Sequence, residues 1–175
     1  MAPPPNPFWR FSLRVYRLPG VEQACLALQD RCGADVNLLL FCGWAGREGR
    51  TLDRPTLLSA IACVGDWQSQ VVAPLRLARR GLKRQEALGK AGALAPPLRK
   101  RFLALELALE RIEQSSLAEV ALQWKAPARR MPAREAVPAN LACYLELLGH
   151  PAGHAELAHL GCIAAACAGA PDALN

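Results

Sequence analysis

Two groups of polar side chains have the types and spacing to do chemistry. The first is Arg10, Arg14, Gln29, Asp30, Asp35 and Asn37. Asp30 falls near the C-terminal end of a helix, where the helix dipole disfavours negative charge, so a cationic partner is expected from Arg10 or Arg14. Asn37 falls in the first turn of the most apolar helix, where an amide should be buried and hydrogen-bonded. Such a set either locks three helices together or floors a polar pocket for a ligand or a metal-bound phosphate. The lock is the simpler expectation, because buried polar groups are mostly satisfied within the protein.

The second group is basic. From Arg76 to Arg101 there are nine Lys and Arg residues against one acid, Glu86. The chain nets +6, so all of its positive excess lies here and the remainder is slightly acidic. Arg76, Arg79 or Arg80, and Lys83 form a helical stripe, with Arg84 beside it. One reading is a site for RNA phosphates, anionic lipid or an acidic protein patch. The other is a solvated face paired with Glu106, Glu110 and Glu113, if two long helices form an antiparallel hairpin. No aromatic residues interleave with the basic ones, which argues against single-strand stacking.

Other constellations are weak. His150, His154, His159, Cys162 and Cys167 cluster near the C-terminus, but Pro151 and Gly153 interrupt their register, so no metal site is expected. Asp35 with Asp53 or Asp66 makes no DDxxD-like run. There is no GxGxxG, P-loop, HExxH or GxSxG, and no cofactor is expected.

These residues must be held by helices. The chain has 175 residues, 52% of them hydrophobic and only 6% aromatic, which excludes a disordered or low-complexity chain and permits one core without staples. The seven cysteines have no close CxxC pair and sit among apolar residues, which points to a reducing compartment, the cytoplasm. The N-terminus has no signal-peptide pattern, and no apolar run is long enough for an integral membrane segment.

Asn6 with Pro7 predicts a helix start, and Phe8, Phe11, Val15 and Leu18 its apolar stripe. Val21, Cys25, Leu28 and Cys32 predict a second helix, ended by Gly33. Asp35 should cap a third, apolar all round and therefore central. A fourth starts at Asp53 and Pro55, and its stripe runs through Pro74, so one long helix with a kink is expected. A turn over 91–97 and a fifth helix follow, with Ser116 and Glu119 spaced as a capping box where that helix could restart. Residues 126–138 read as a flexible linker and 139–175 as a short C-terminal extension of two helices, within one domain over 1–175. The expected fold is all-α, a compact bundle of about seven helices with a long antiparallel hairpin.

A dense signature opens the chain: Phe8-Trp9-x-Phe11-Ser12-Leu13-x-Val15-Tyr16, Gly20-Val21, Cys25-Leu26-x-Leu28-Gln29-Asp30 and Gly33-x-Asp35-Val36-Asn37-Leu38-Leu39-Leu40. It continues more loosely to Trp44, Trp67 and Val72-Ala73-Pro74-Leu75-Arg76. This resembles a family of short uncharacterised bacterial proteins, a domain of unknown function, over roughly residues 8–125. The resemblance implies a cytoplasmic helical protein and carries no activity. The leading functional expectation is a non-enzymatic binding module, monomer or dimer, that engages an acidic protein or RNA through Arg76, Arg79, Arg80, Lys83 and Arg84. The alternative is a small-ligand protein or enzyme with a polar pocket around Asp30, Asp35 and Asn37.

Overall fold

The computed structural model describes residues 6–90, 92, 95–124, 130–150 and 153–169. All regular structure among them is helical: α1 (Pro7–Tyr16), α2 (Val21–Cys32), α3 (Val36–Arg47), α4 (Arg54–Trp67), a π-helical turn (Gln68–Val72), α5 (Ala73–Ala87), α6 (Ala95–Leu122), α7 (Ala133–Leu147) and α8 (His154–Gly169). With α4, the π turn and α5 taken as one rod, the described residues form seven helical rods in an all-α bundle.

The helix starts follow local chemistry. Asn6 Oδ1 accepts from Trp9 N at 2.6 Å, Asp53 Oδ1 from Thr56 N at 3.0 Å, and Asp35 Oδ1 from the amides of Asn37 and Leu38 at 2.7 and 3.2 Å. Gly33 ends α2 at φ 66°, in the left-handed region where a Cβ would be strained. The long rod does pass through Pro74. Pro74 has no N–H to give the preceding turn, and the wider π turn immediately before it absorbs the mismatch.

Three boundaries differ from the sequence expectations. Pro96 and Pro97 lie in the first turn of α6, where missing N–H groups cost nothing, so part of the expected turn is helix. Helix α6 runs unbroken past Ser116. Ser115 and Ser116 donate to the carbonyls of Arg111 and Ile112 instead of capping a new start. Of the expected linker, 126–129 lie outside the described residues, while Ala133–Pro138 begin α7 and bury Ala136 and Val137. Amphipathic spacing prevailed there over proline content.

Helix α3 is the hub. It packs against α1, α2, α6, α7 and α8, and from Leu38 to Ala45 every side chain except that of Trp44 has almost no exposure. Two glycines permit the closest seams. A Cβ at Gly46 would stand 2.7 Å from Val137 N and Cα, and one at Gly43 would overlap Cys167 Sγ. The C-terminal helices thereby supply a face of the core, with Leu141, Tyr144, Leu145, Ile163 and Cys167 buried. Asn140 pins the α3–α4 loop to α7: its Oδ1 accepts from Leu52 N at 2.7 Å, and its Nδ2 donates to the carbonyls of Cys42 and Arg50. Phe8, Phe41, Trp44 and Trp124 stack beside this seam, with Phe41 5.4 Å from Phe8 and 5.3 Å from Trp124.

Helices α5 and α6 form the antiparallel hairpin, and α5 buries no side chain fully. This arm therefore stands out from the hub with much of its surface in solvent.

Gly46→Ala should destabilise the fold by about 1–3 kcal/mol, because the obstacle is backbone and cannot swing aside. Gly65→Ala, in an open helical position, should instead be neutral or stabilise by up to about 1 kcal/mol. Urea midpoints at unchanged m-value would measure both.

Candidate functional site

Asp35 sits where α3, the π turn, α6 and α7 meet. Besides capping α3, its Oδ2 accepts from Gln68 Nε2, and its own N–H donates to Tyr144 Oη at 2.9 Å. Asn37 Oδ1 accepts from Gln114 Nε2 at 2.6 Å. Glu113, one turn of α6 from Glu110 and 1% exposed, packs against Asp35 and Asn37. Burial, and then the charge of Asp35, push the Glu113 carboxyl up to about 9. Burial also raises Asp35, against the opposing pull of the Leu38 and Asn37 amides. At neutral pH Glu113 therefore keeps its proton beside Asp35. Burial likewise raises Tyr144, which stays a neutral phenol.

Only part of the expected polar cluster converges here. Asp35 and Asn37 join this network. Gln29 and the exposed Asp30, at the end of α2, stand outside this hydrogen-bond network but line one hollow with Asp35 and Gln68. The expected partner of Asp30, Arg10 or Arg14, is replaced by Arg80 on α5, with Nη2 at 3.8 Å from Asp30 Oδ1 and both side chains half in water. Such a pair contributes little. Arg10 points to solvent, and Arg14 is half-buried with no partner for Nε. The residues that complete the network, Gln68, Glu113, Gln114 and Tyr144, come from distant helices. Their one sequence signal was apolar-stripe register: Gln68 occupies a core position of the fourth-helix stripe.

The basic stripe divides in the same way. Arg76 reaches Glu106 at 2.8 Å and Glu110 at 2.7 Å, and Arg79 also binds Glu106. Burial works against ionisation of Glu106, but the hydrogen bonds from Arg79 and Arg76 outweigh it and hold the carboxyl below its ordinary range. Glu110 is raised, burial outweighing the pull of Arg76. Nearer the tip, Arg99 pairs with Glu86 at 3.0 Å. Lys83, Arg84, Lys90, Lys100 and Arg101 stay exposed.

Between α1–α2 and α5–α6 lies an open cleft of about 590 Å³. Helix α1 packs on α6, whereas α2 and α5 share no substantial seam, so the arm and the hub diverge. Leu13, Leu26, Leu103 and Leu107 face this space, Arg17, Arg80 and Lys83 stand around it, and Ser12 and Gln114 line its inner surface. A smaller hollow of about 410 Å³ lies on the other side of Arg76 and Arg80, against Asp35 and Gln68. Among the described residues, no group of three His, Cys, Asp or Glu side chains gathers to hold a metal ion.

Two outcomes follow from the buried charges. Folded Glu113 keeps a proton that an ordinary glutamate loses near 4.5, so its stabilising contribution is complete below that pH and is lost as pH rises toward about 9. Glu113→Gln keeps a donor for Asp35 and should flatten this decline, gaining about 1 kcal/mol or more at pH 8 in denaturation midpoints. Arg76→Ala strands Glu110 and leaves Glu106 to Arg79 alone, and should cost about 1–3 kcal/mol in the same measurement at pH 7.

Compared with known proteins, neither the curated proteins nor the solved structures contain a match to this chain. A family model described as a protein of unknown function, DUF2390, matches residues 7–117, from the first turn of α1 to the last third of α6. That span holds the cleft, the arm and every member of the Asp35 network except Tyr144, and it is well over half of the chain, so the protein belongs to the DUF2390 family.

Proposed function

We propose that the protein is a non-enzymatic binding module of the bacterial cytoplasm that engages an acidic protein through the outer end of the α5–α6 arm. The observation that supports this reading is the separation of charges along the arm. Near the hub, Arg76 and Arg79 are neutralised by Glu106 and Glu110. Toward the tip, Lys83, Arg84, Lys90, Lys100 and Arg101 remain in solvent, with Leu88 and Leu98 exposed among them. Cations interleaved with leucines suit an acidic protein surface better than RNA, which favours aromatic platforms. The rival pocket around Asp30, Asp35 and Asn37 has less support. Asp35 and Asn37 commit their polar atoms to neighbouring protein groups, and Asp30, which lines one hollow with Asp35 but not with Asn37, faces Arg80. No helix among the described residues is long and apolar enough to cross a membrane.

The test is retention of partners from cytoplasmic lysate at two salt concentrations, with and without nuclease. Retention should fall at high salt, survive nuclease, and drop at least tenfold in the variant Arg84→Glu, Lys100→Glu, Arg101→Glu. These positions are exposed, so the variant should melt within about 1 kcal/mol of the parent. A triple variant that keeps every partner would overturn the proposal, and nuclease-sensitive retention would transfer the surface to RNA.

A further inference from the structure

We infer that the cleft between α1–α2 and α5–α6 is a binding site for a free amphiphilic carboxylate, an acyl chain with an acid group at one end and a hydroxyl toward the other. The inference shares only Lys83 with the tip cations, and the tip variant leaves Lys83 intact, so the two readings are tested separately.

Three observations converge. Leu13, Leu26, Leu103 and Leu107, from three helices, each leave more than a third of their surface exposed, and all line this one space. A single exposed leucine is ordinary; four facing each other across one cleft form an apolar wall. The inner surface carries Ser12 and Gln114, only 2% and 4% exposed, whose Oγ and Oε1 have no hydrogen-bond partner. Gln114 uses its Nε2 on Asn37, so its oxygen is left as a pure acceptor, and the Ser12 hydroxyl can donate. A ligand hydroxyl has the chemistry both atoms lack, accepting from Ser12 or donating to Gln114. Around the cleft, Arg17, Lys83 and Arg80, the last in a loose 3.8 Å pair with Asp30, face Glu22, while the other lining acids, Glu106 and Glu110, are held by Arg76 and Arg79. The balance is positive, and a guanidinium such as Arg80 suits a carboxylate.

The volume decides the size of the occupant. About 590 Å³ is within the range of small-molecule sites, roughly 300–1,000 Å³. Both unpaired atoms lie just beneath the cleft surface, and a slender chain end meets them once the Ser12 and Gln114 side chains turn outward. A docked helix has already used its backbone donors and acceptors and cannot do so except through one side chain.

Calorimetric titration of the full chain with ω-hydroxydodecanoate, dodecanoate and dodecyltrimethylammonium, each below its micellar range, tests this. Both acids should bind, the hydroxy acid about five- to tenfold more tightly, which is the effect of one satisfied hydrogen bond. The cationic amphiphile should not bind. Ser12→Ala should reduce the preference for the hydroxy acid at least threefold. Arg80→Glu with Lys83→Glu should weaken both acids at least tenfold and leave their ratio unchanged. Leu107→Asp, at a half-exposed position that the fold tolerates, should abolish binding of both. Failure of both acids to bind, equal binding of the cationic amphiphile, or an unchanged preference in Ser12→Ala would overturn the inference. Loss of partner retention in the tip variant with carboxylate binding intact would leave it standing.

Discussion

A carboxylate that caps a buried helix brings its charge into the core, and the rest of the molecule is arranged around that consequence. The first turn of α3 needs an acceptor, and Asp35 supplies it to the Asn37 and Leu38 amides. In a surface helix, water would solvate the second carboxylate oxygen. Here the hub position of α3 excludes water, so Gln68 donates to that oxygen and Glu113 retains a proton beside it. The π turn gains a role in this setting. It relieves the absent N–H of Pro74 and carries Gln68, at its first position, onto Asp35. Four helical segments are thereby tied to one charge, which specifies their mutual register more sharply than apolar contact does.

The arm follows a related rule with the opposite outcome. Where α5 lies against α6 close to the hub, the arginines are partly dehydrated, and each finds a glutamate from the facing helix. Farther out, solvation removes that requirement, and Lys83, Arg84, Lys90, Lys100 and Arg101 stand in water while Arg99 keeps Glu86. Charge that looks uniform along the sequence becomes a neutralised inner segment and a basic outer one. The divergence of α2 from α5 opens the cleft at the boundary, where leucines and cations face the same space. The apolar and the charged surfaces are thus consequences of how far each residue stands from α3.

Much of the fold was legible because its signals are local. Capping by Asn6, Asp35 and Asp53 depends on a side chain and amides two or three residues on. The glycine stop after α2 and the stripe continuing through Pro74 are equally local. The opening signature identified the family because the residues that build α1–α3 lie consecutively. The misread places were those where local composition and tertiary burial disagreed. Three prolines suggested a linker over 126–138, yet Val137 packs on Gly46 and α7 starts before it. Ser116 resembled a cap, but a helix already continuous through that point gave it no free amides to serve.

By itself, the sequence determined the helical class, the helix starts, the central place of the apolar third helix and the segment that carries the positive excess. These depend on interactions within a few residues, whose geometry the helix period prescribes. Only the tertiary structure decided the partners. It paired Asp30 with Arg80 rather than with Arg10 or Arg14, placed Glu113 against Asp35 from seventy-eight positions away, and left Ser12 and Gln114 facing a cleft. Electrostatic and hydrogen-bond energies depend on separation and on exclusion of water, and neither quantity exists until the helices have packed.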